Sequence, residues 1–87
     1  MRLKYIFEMI ELGDQIIAVP VGNDVDKYHG VIRLNETAAM IFRLLKDEIT
    51  EEAIVDVLEN EYKIDRKILS QDVHNTIERF QKKELLI

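Results

Sequence analysis

Apolar positions recur at every second residue through the first part of the chain. In residues 3–12, LKYIFEMIEL, Leu3, Tyr5, Phe7 and Met9 share one face while Lys4, Ile6, Glu8, Ile10 and Leu12 share the other. A period of two with aromatics predicts a strand. Gly13-Asp14 is a hairpin dipeptide, so residues 15–21, QIIAVPV, form the return strand. Pro20 has no N–H for a ladder and belongs at an edge or at the strand end. Residues 22–27, GNDVDK, read as a loop, and residues 28–34, YHGVIRL, resume as a third strand.

The period changes after Leu34. In residues 34–45, LNETAAMIFRLL, Asn35 is a strong N-cap and Glu36 places a negative charge at the positive end of the helix dipole. Ala38, Ala39, Met40, Ile41, Phe42, Leu44 and Leu45 leave almost no polar face, which predicts a central helix covered on most sides. Thr50 caps a second helix with Glu51 and Glu52 in its first turn. Ile49 and Ile54 stand at the spacing of a hydrophobic staple, and Ile54, Val57, Leu58 and Tyr62 form the expected buried stripe. Asp65 repeats the device for a third helix with Ile64 and Leu69, followed by Val73, Ile77 and Phe80 at helical intervals; Ser70 is the alternative cap. Leu85, Leu86 and Ile87 are too apolar for a solvated tail and are expected to fold back onto the domain.

The predicted order is β-β-β-α-α-α: an α+β fold of winged-helix-like type, with a three-stranded antiparallel meander in front of the paired helices. At 87 residues, 47% of them hydrophobic, the chain reads as a single domain spanning 1–87. A chain of this length buries only about 60 to 65% of its unfolded surface, which leaves little room for an enclosed active site. With no cysteine there is neither a disulfide framework nor a thiolate metal site. No apolar h-region and no run of ~18 apolar residues occurs, so a cytoplasmic protein is expected.

The net charge of −5 is unevenly spread. Between Asp47 and Tyr62 every charged residue is acidic, whereas Arg66, Lys67, Arg79, Lys82 and Lys83 make the last helix basic. A nucleic-acid binder needs a basic footprint over the domain, so this distribution counts against that role.

Catalytic and metal chemistry is sparse. His29 and His74 fall on different elements; His74 and Glu78 share a helix face at i, i+4, but they are only two ligands with no third nearby, and a metal needs three or four. One serine and two separated histidines cannot assemble a nucleophile, a base and an orienting group. The carboxylates fall at caps and outward positions. No cofactor, metal or catalysis is expected.

What remains is a binding surface. The third strand of a meander offers a row of unpaired N–H and C=O groups to which a peptide can add. Gly30 either lets a second backbone come close or marks a bend. His29, Val31 and Arg33 point to one face of the strand and Gly30, Ile32 and Leu34 to the other. A groove beside the last helix would be lined by Val73, Thr76, Ile77 and Phe80, although an apolar i, i+4 stripe is first of all how a helix packs and reads more readily as plain core. The first strand is apolar on both faces, either because its second face is partly covered or because it meets a partner or a second copy.

LNETAAMIFRLL, TEEAIVDVLENEYKID and the closing KKELLI together resemble the PqqD family of small proteins of peptide-cofactor and modified-peptide biosynthesis. GVIRLNETAAMIF is the most specific part, and the similarity runs from about Gly13 to the end. The resemblance implies a winged-helix-like fold without catalysis. It also implies binding of a ribosomal precursor's leader segment, which adds to the third strand, lies against the third helix and is presented to a modifying enzyme, often a radical S-adenosylmethionine maturase. Carried over, the peptide-binding positions are His29, Gly30, Val31, Ile32 and Arg33, with Asp72, Val73, Thr76, Ile77, Arg79 and Phe80 on the helix. The pathway, quinone cofactor or another modified peptide, is left open. The chain departs from the family pattern at Asp47-Glu48 and at Glu84, where a glycine is usual, so both helix ends are expected to be less sharply terminated. The runner-up reading is a winged-helix DNA-binding regulator, and a homodimer through the N-terminal hairpin is compatible with the first.

Overall fold

The computed structural model describes residues 1–87. Three strands, β1 (Phe7–Leu12), β2 (Gln15–Pro20) and β3 (Ile32–Leu34), precede three helices, α1 (Glu36–Leu44), α2 (Glu51–Glu61) and α3 (Arg66–Lys82). The sheet is antiparallel with β2 in the middle. This is the expected α+β order.

Side chains alternate as the period-two pattern requires. Phe7 and Met9 turn inward, and Ile6, Glu8 and Ile10 turn outward. The strand is shorter than residues 3–12 because its first part pairs elsewhere: Arg2 and Ile87 exchange backbone hydrogen bonds of 2.9 Å, and the Lys4 N–H donates to the Leu85 carbonyl at 2.7 Å. The apolar C-terminus thus closes the N-terminal edge, and Leu85 is fully buried.

The third strand begins at Ile32, four residues later than the pattern suggested. Gly30 has φ +107°, a conformation open mainly to glycine, and that bend interrupts the extended run. Ahead of it a short 3-10 turn (Gly22–Asp24) lets the Asp24 carboxylate accept from the Ile6 N–H at 2.7 Å. Tyr28 then packs on Tyr5 and Phe7. Pro20 ends β2 opposite the point where β3 has not yet begun, so its missing N–H costs no ladder bond.

All three helices start at the expected caps. Asn35 Oδ1 accepts from the Ala38 N–H at 2.8 Å, Thr50 Oγ1 from Ala53 at 3.1 Å, and Asp65 Oδ1 from Lys67 at 2.9 Å. Asp65, not Ser70, therefore begins α3. On α2 the buried residues are Ile54, Val55 and Leu58, with Val57 only half-buried, so the stripe is rotated relative to the one the sequence suggested. Phe42 on α1 joins sheet and helices by edge-to-face contacts with Phe7 at 5.2 Å and Phe80 at 5.5 Å.

The two helix ends without glycine behave differently. α1 closes on Leu45 at φ −75°, with no left-handed residue. α3 ends sharply, because Glu84 itself takes φ 59°. The Leu85 N–H reaches back to the Phe80 carbonyl at 3.1 Å and the Glu84 N–H to the Gln81 carbonyl at 2.9 Å, a Schellman termination with glutamate where glycine is favoured. The expected loose end is not observed there, because the backbone bonds and the burial of Leu85 hold the left-handed turn.

Candidate functional site

The free edge of β3 follows from hydrogen-bond parity. The two-residue turn Gly13-Asp14 makes Leu12 and Gln15 the closing pair, and the Val21 N–H donates to the Ile6 carbonyl at 3.0 Å. Even-numbered residues of β1 therefore bond to odd-numbered residues of β2. Ile16 and Ala18 must turn their N–H and C=O the other way, towards Leu34 and Ile32, which stand opposite them in the register. On β3 the backbone groups of Ile32 and Leu34 are consequently used inside the sheet. Those of Val31 and Arg33 point away from it.

His29, Gly30 and Val31 neither donate nor accept a backbone hydrogen bond within the protein. The open ladder thus runs from the Gly30 bend through Arg33. Its side chains sort by the same alternation: Ile32 and Leu34 are buried, whereas Val31 and Arg33 are exposed. Ile32 contributes a core side chain that anchors the edge.

On α3 the expected positions divide in two. Val73, Ile77 and Phe80 are at most 3% exposed and belong to the same core cluster as Ile32 and Leu34. They fix the helix in place and offer no side-chain surface. Asp72 and Arg79 are exposed and Thr76 is half-buried. The Thr76 hydroxyl donates to the Asp72 carbonyl at 2.8 Å, and the Arg79 guanidinium lies 5.4 Å from the centre of the Phe80 ring. Neither Asp72 nor Arg79 has an ion-pair partner, so both present an unneutralised charge.

The basic character of α3 is partly spent inside the protein. Arg66 bridges to α2 through Asp56 at 2.8 Å and Glu59 at 3.1 Å, and the hydrogen bond to Asp56 above all raises the guanidinium pKa from its ordinary value. Lys82 pairs with Glu78 at 3.4 Å, and His74 stands between Glu51 at 3.3 Å and Glu78 at 3.7 Å. Two of the five cations counted on this helix are thereby compensated, which weakens it as a phosphate-binding face.

The hairpin's outer face is apolar, with Ile6 67% and Leu12 59% exposed. A different feature was not singled out in the sequence: Arg2, Lys4, Arg43 and Lys46 gather around a groove between β1 and α1. The signal lay in the outward parity of Arg2 and Lys4 and the i, i+3 spacing of Arg43 and Lys46, but placing the two pairs together needs the tertiary fold. No helix is long and apolar enough to cross a membrane.

Two solved structures share this fold. One, described as TbiB1 in complex with the TbiA(beta) leader peptide, superposes with a TM-score of 0.75 at 22% identity, covering 99% of this chain and 94% of that one. The other, lasso peptide synthetase B1 complexed with the leader peptide, gives a TM-score of 0.68 at 19% identity, over 97% and 93% of the two chains. No curated protein matches the sequence. The profile described as Coenzyme PQQ synthesis protein D (PqqD) matches residues 20–86, which takes in β3, all three helices and the whole candidate edge, and the chain therefore belongs to the PqqD family.

Proposed function

We propose that this protein is a non-catalytic recognition domain that binds the leader segment of a ribosomally synthesised precursor peptide and presents it to a modifying enzyme. The leader adds as a strand to the outer edge of β3, exchanging hydrogen bonds with Val31 and Arg33, and its side chains meet Asp72, Thr76 and Arg79 on α3. The observation that carries this reading is the unpaired ladder beside the Gly30 bend. Family membership supports it, as does a fold shared with two proteins described in complex with leader peptides. Opposite charges at Asp72 and Arg79 suit a leader carrying both signs. The resemblance suggests a radical S-adenosylmethionine maturase as the modifying enzyme.

Calorimetric titration of the chain with the leader of a precursor encoded beside its gene is the test. Saturable one-to-one binding that changes little between low and moderate salt supports the reading. No binding to any neighbouring precursor, combined with steeply salt-dependent binding to duplex DNA, would move the assignment to a regulator.

The exposed Ile6, Ile10 and Leu12 favour a second, compatible reading in which two copies meet through the hairpin face. Light scattering across a concentration series tests it. A mass that stays monomeric throughout removes it.

A further inference from the structure

A groove of about 400 Å³ lies between the N-terminal part of the chain, β1 and α1, on the side of the sheet away from β3. Its floor is apolar, formed chiefly by Tyr5, Phe7, Met9 and Phe42, and four cations, Arg2, Lys4, Arg43 and Lys46, stand around it. No carboxylate lines it, although the protein as a whole carries −5. None of the four cations forms a salt bridge, and the nearby Glu48 is already engaged by the Met1 amino group.

The backbone beside this groove is also open. By the parity that turns Ile6, Glu8 and Ile10 towards β2, the N–H and C=O of Phe7 and Met9 point out of the opposite edge of the sheet. The backbone bonds to the C-terminal residues are made at Arg2 and Lys4, ahead of β1, and reach no further than Lys4. Beyond it, apolar floor, unneutralised cations and free ladder groups coincide.

We infer that this groove is a second docking site, distinct from the β3 edge, for an acidic segment of a partner protein that carries one large apolar side chain. The apolar floor takes the anchor, the four cations take flanking carboxylates, and the partner's backbone pairs with Phe7 and Met9. Charge complementarity sets the sign of the occupant. The free ladder selects a peptide over a lipid, because only a backbone can satisfy it. The inference does not depend on the leader reading, since β1 and β3 are opposite edges of one sheet.

The test is selection of a displayed random peptide library on the whole chain, with counter-selection on the Arg43→Glu/Lys46→Glu variant. Both side chains are exposed and unpaired, so the variant is expected to fold, which circular dichroism checks. Enriched peptides should carry several Asp or Glu around one aromatic or leucine and lose about tenfold in affinity on the variant. They should bind Val31→Pro unchanged, and they should shift the amides of Phe7, Met9 and Phe42 in NMR spectra of the labelled protein. Absence of enrichment, enrichment of peptides without acids, or full binding to the variant overturns the proposal. So does binding to phosphatidylglycerol vesicles that the variant loses while no peptide is enriched, which would assign the surface to a membrane. Failure of the leader titration with success here would leave the second site standing alone.

Discussion

Proline placed at each of two neighbouring residues separates the two sides of β3. The Val31 N–H has no partner within the protein and points out of the sheet, so Val31→Pro removes a donor that only an added strand would use. A net hydrogen bond is worth about 0.5 to 1.5 kcal/mol, which corresponds to a loss of roughly two- to twelvefold in leader affinity. Stability should change little. Ile32→Pro is the opposite case, because the parity of the ladder commits the Ile32 N–H to Ala18, and both residues are buried. Leaving the Ala18 carbonyl unsatisfied costs about 1 to 3 kcal/mol, and trimming the buried isoleucine adds roughly 1 kcal/mol or more. An 87-residue domain has only about 4 to 13 kcal/mol in all. Ile32→Pro should therefore lower the melting temperature by about 10 °C or more. Val31 is 56% exposed, so Val31→Ala controls for any side-chain contact with the peptide. Calorimetry reads affinity and a thermal melt reads stability. Wild-type leader affinity in a folded Val31→Pro variant, or a melting temperature unmoved by Ile32→Pro, would refute the assigned parity.

Other consequences follow from single residues. Glu84 holds φ 59°, where a non-glycine residue costs about 1 to 2 kcal/mol; after the unfolded-state entropy of glycine is set against this, Glu84→Gly should stabilise by roughly 0.5 to 1 kcal/mol, and a melting temperature that falls would contradict the strain. Phe42→Ala removes the ring between Phe7 and Phe80 and should cost about 3 to 5 kcal/mol, read by urea denaturation. Asn35→Ala should destabilise by about 1 kcal/mol through the lost cap on Ala38. If copies meet through the hairpin, Ile10→Lys with Leu12→Lys should abolish the association seen by light scattering without lowering leader affinity; an unchanged mass distribution would place the contact elsewhere.

Much of this fold is legible in the chain because each element is signalled by a local rule. Asn35, Thr50 and Asp65 name the helix starts, and the alternation of Tyr5, Phe7 and Met9 with Ile6 and Glu8 names the inner face of the hairpin. The true start of β3 was hidden by the apolar residues on either side of Gly30, whose left-handed bend is a backbone property that a hydrophobic pattern does not encode. The rotation of the α2 stripe from Val57 to Val55 depends on which neighbours the helix meets, and that is decided by tertiary packing. At Glu84 the expectation failed for a different reason: a glycine preference is a matter of about 1 to 2 kcal/mol, which the burial of Leu85 and two backbone bonds can outweigh. The candidate site was half legible. Its edge strand follows from strand count, but the same helical stripe that suggested a groove on α3 places Val73, Ile77 and Phe80 in the core, leaving Asp72, Thr76 and Arg79 as the reachable face.

The central claim is that a leader strand pairs with the outer edge of β3, and residue-by-residue amide hydrogen exchange with and without the leader segment tests it most directly. The account predicts that Val31 and Arg33, unprotected alone, slow on addition of the leader, while Ile32 and Leu34, already bonded to β2, keep the protection they have. Equal slowing at all four residues, or protection confined to α3 with Val31 and Arg33 still exchanging freely, would contradict it.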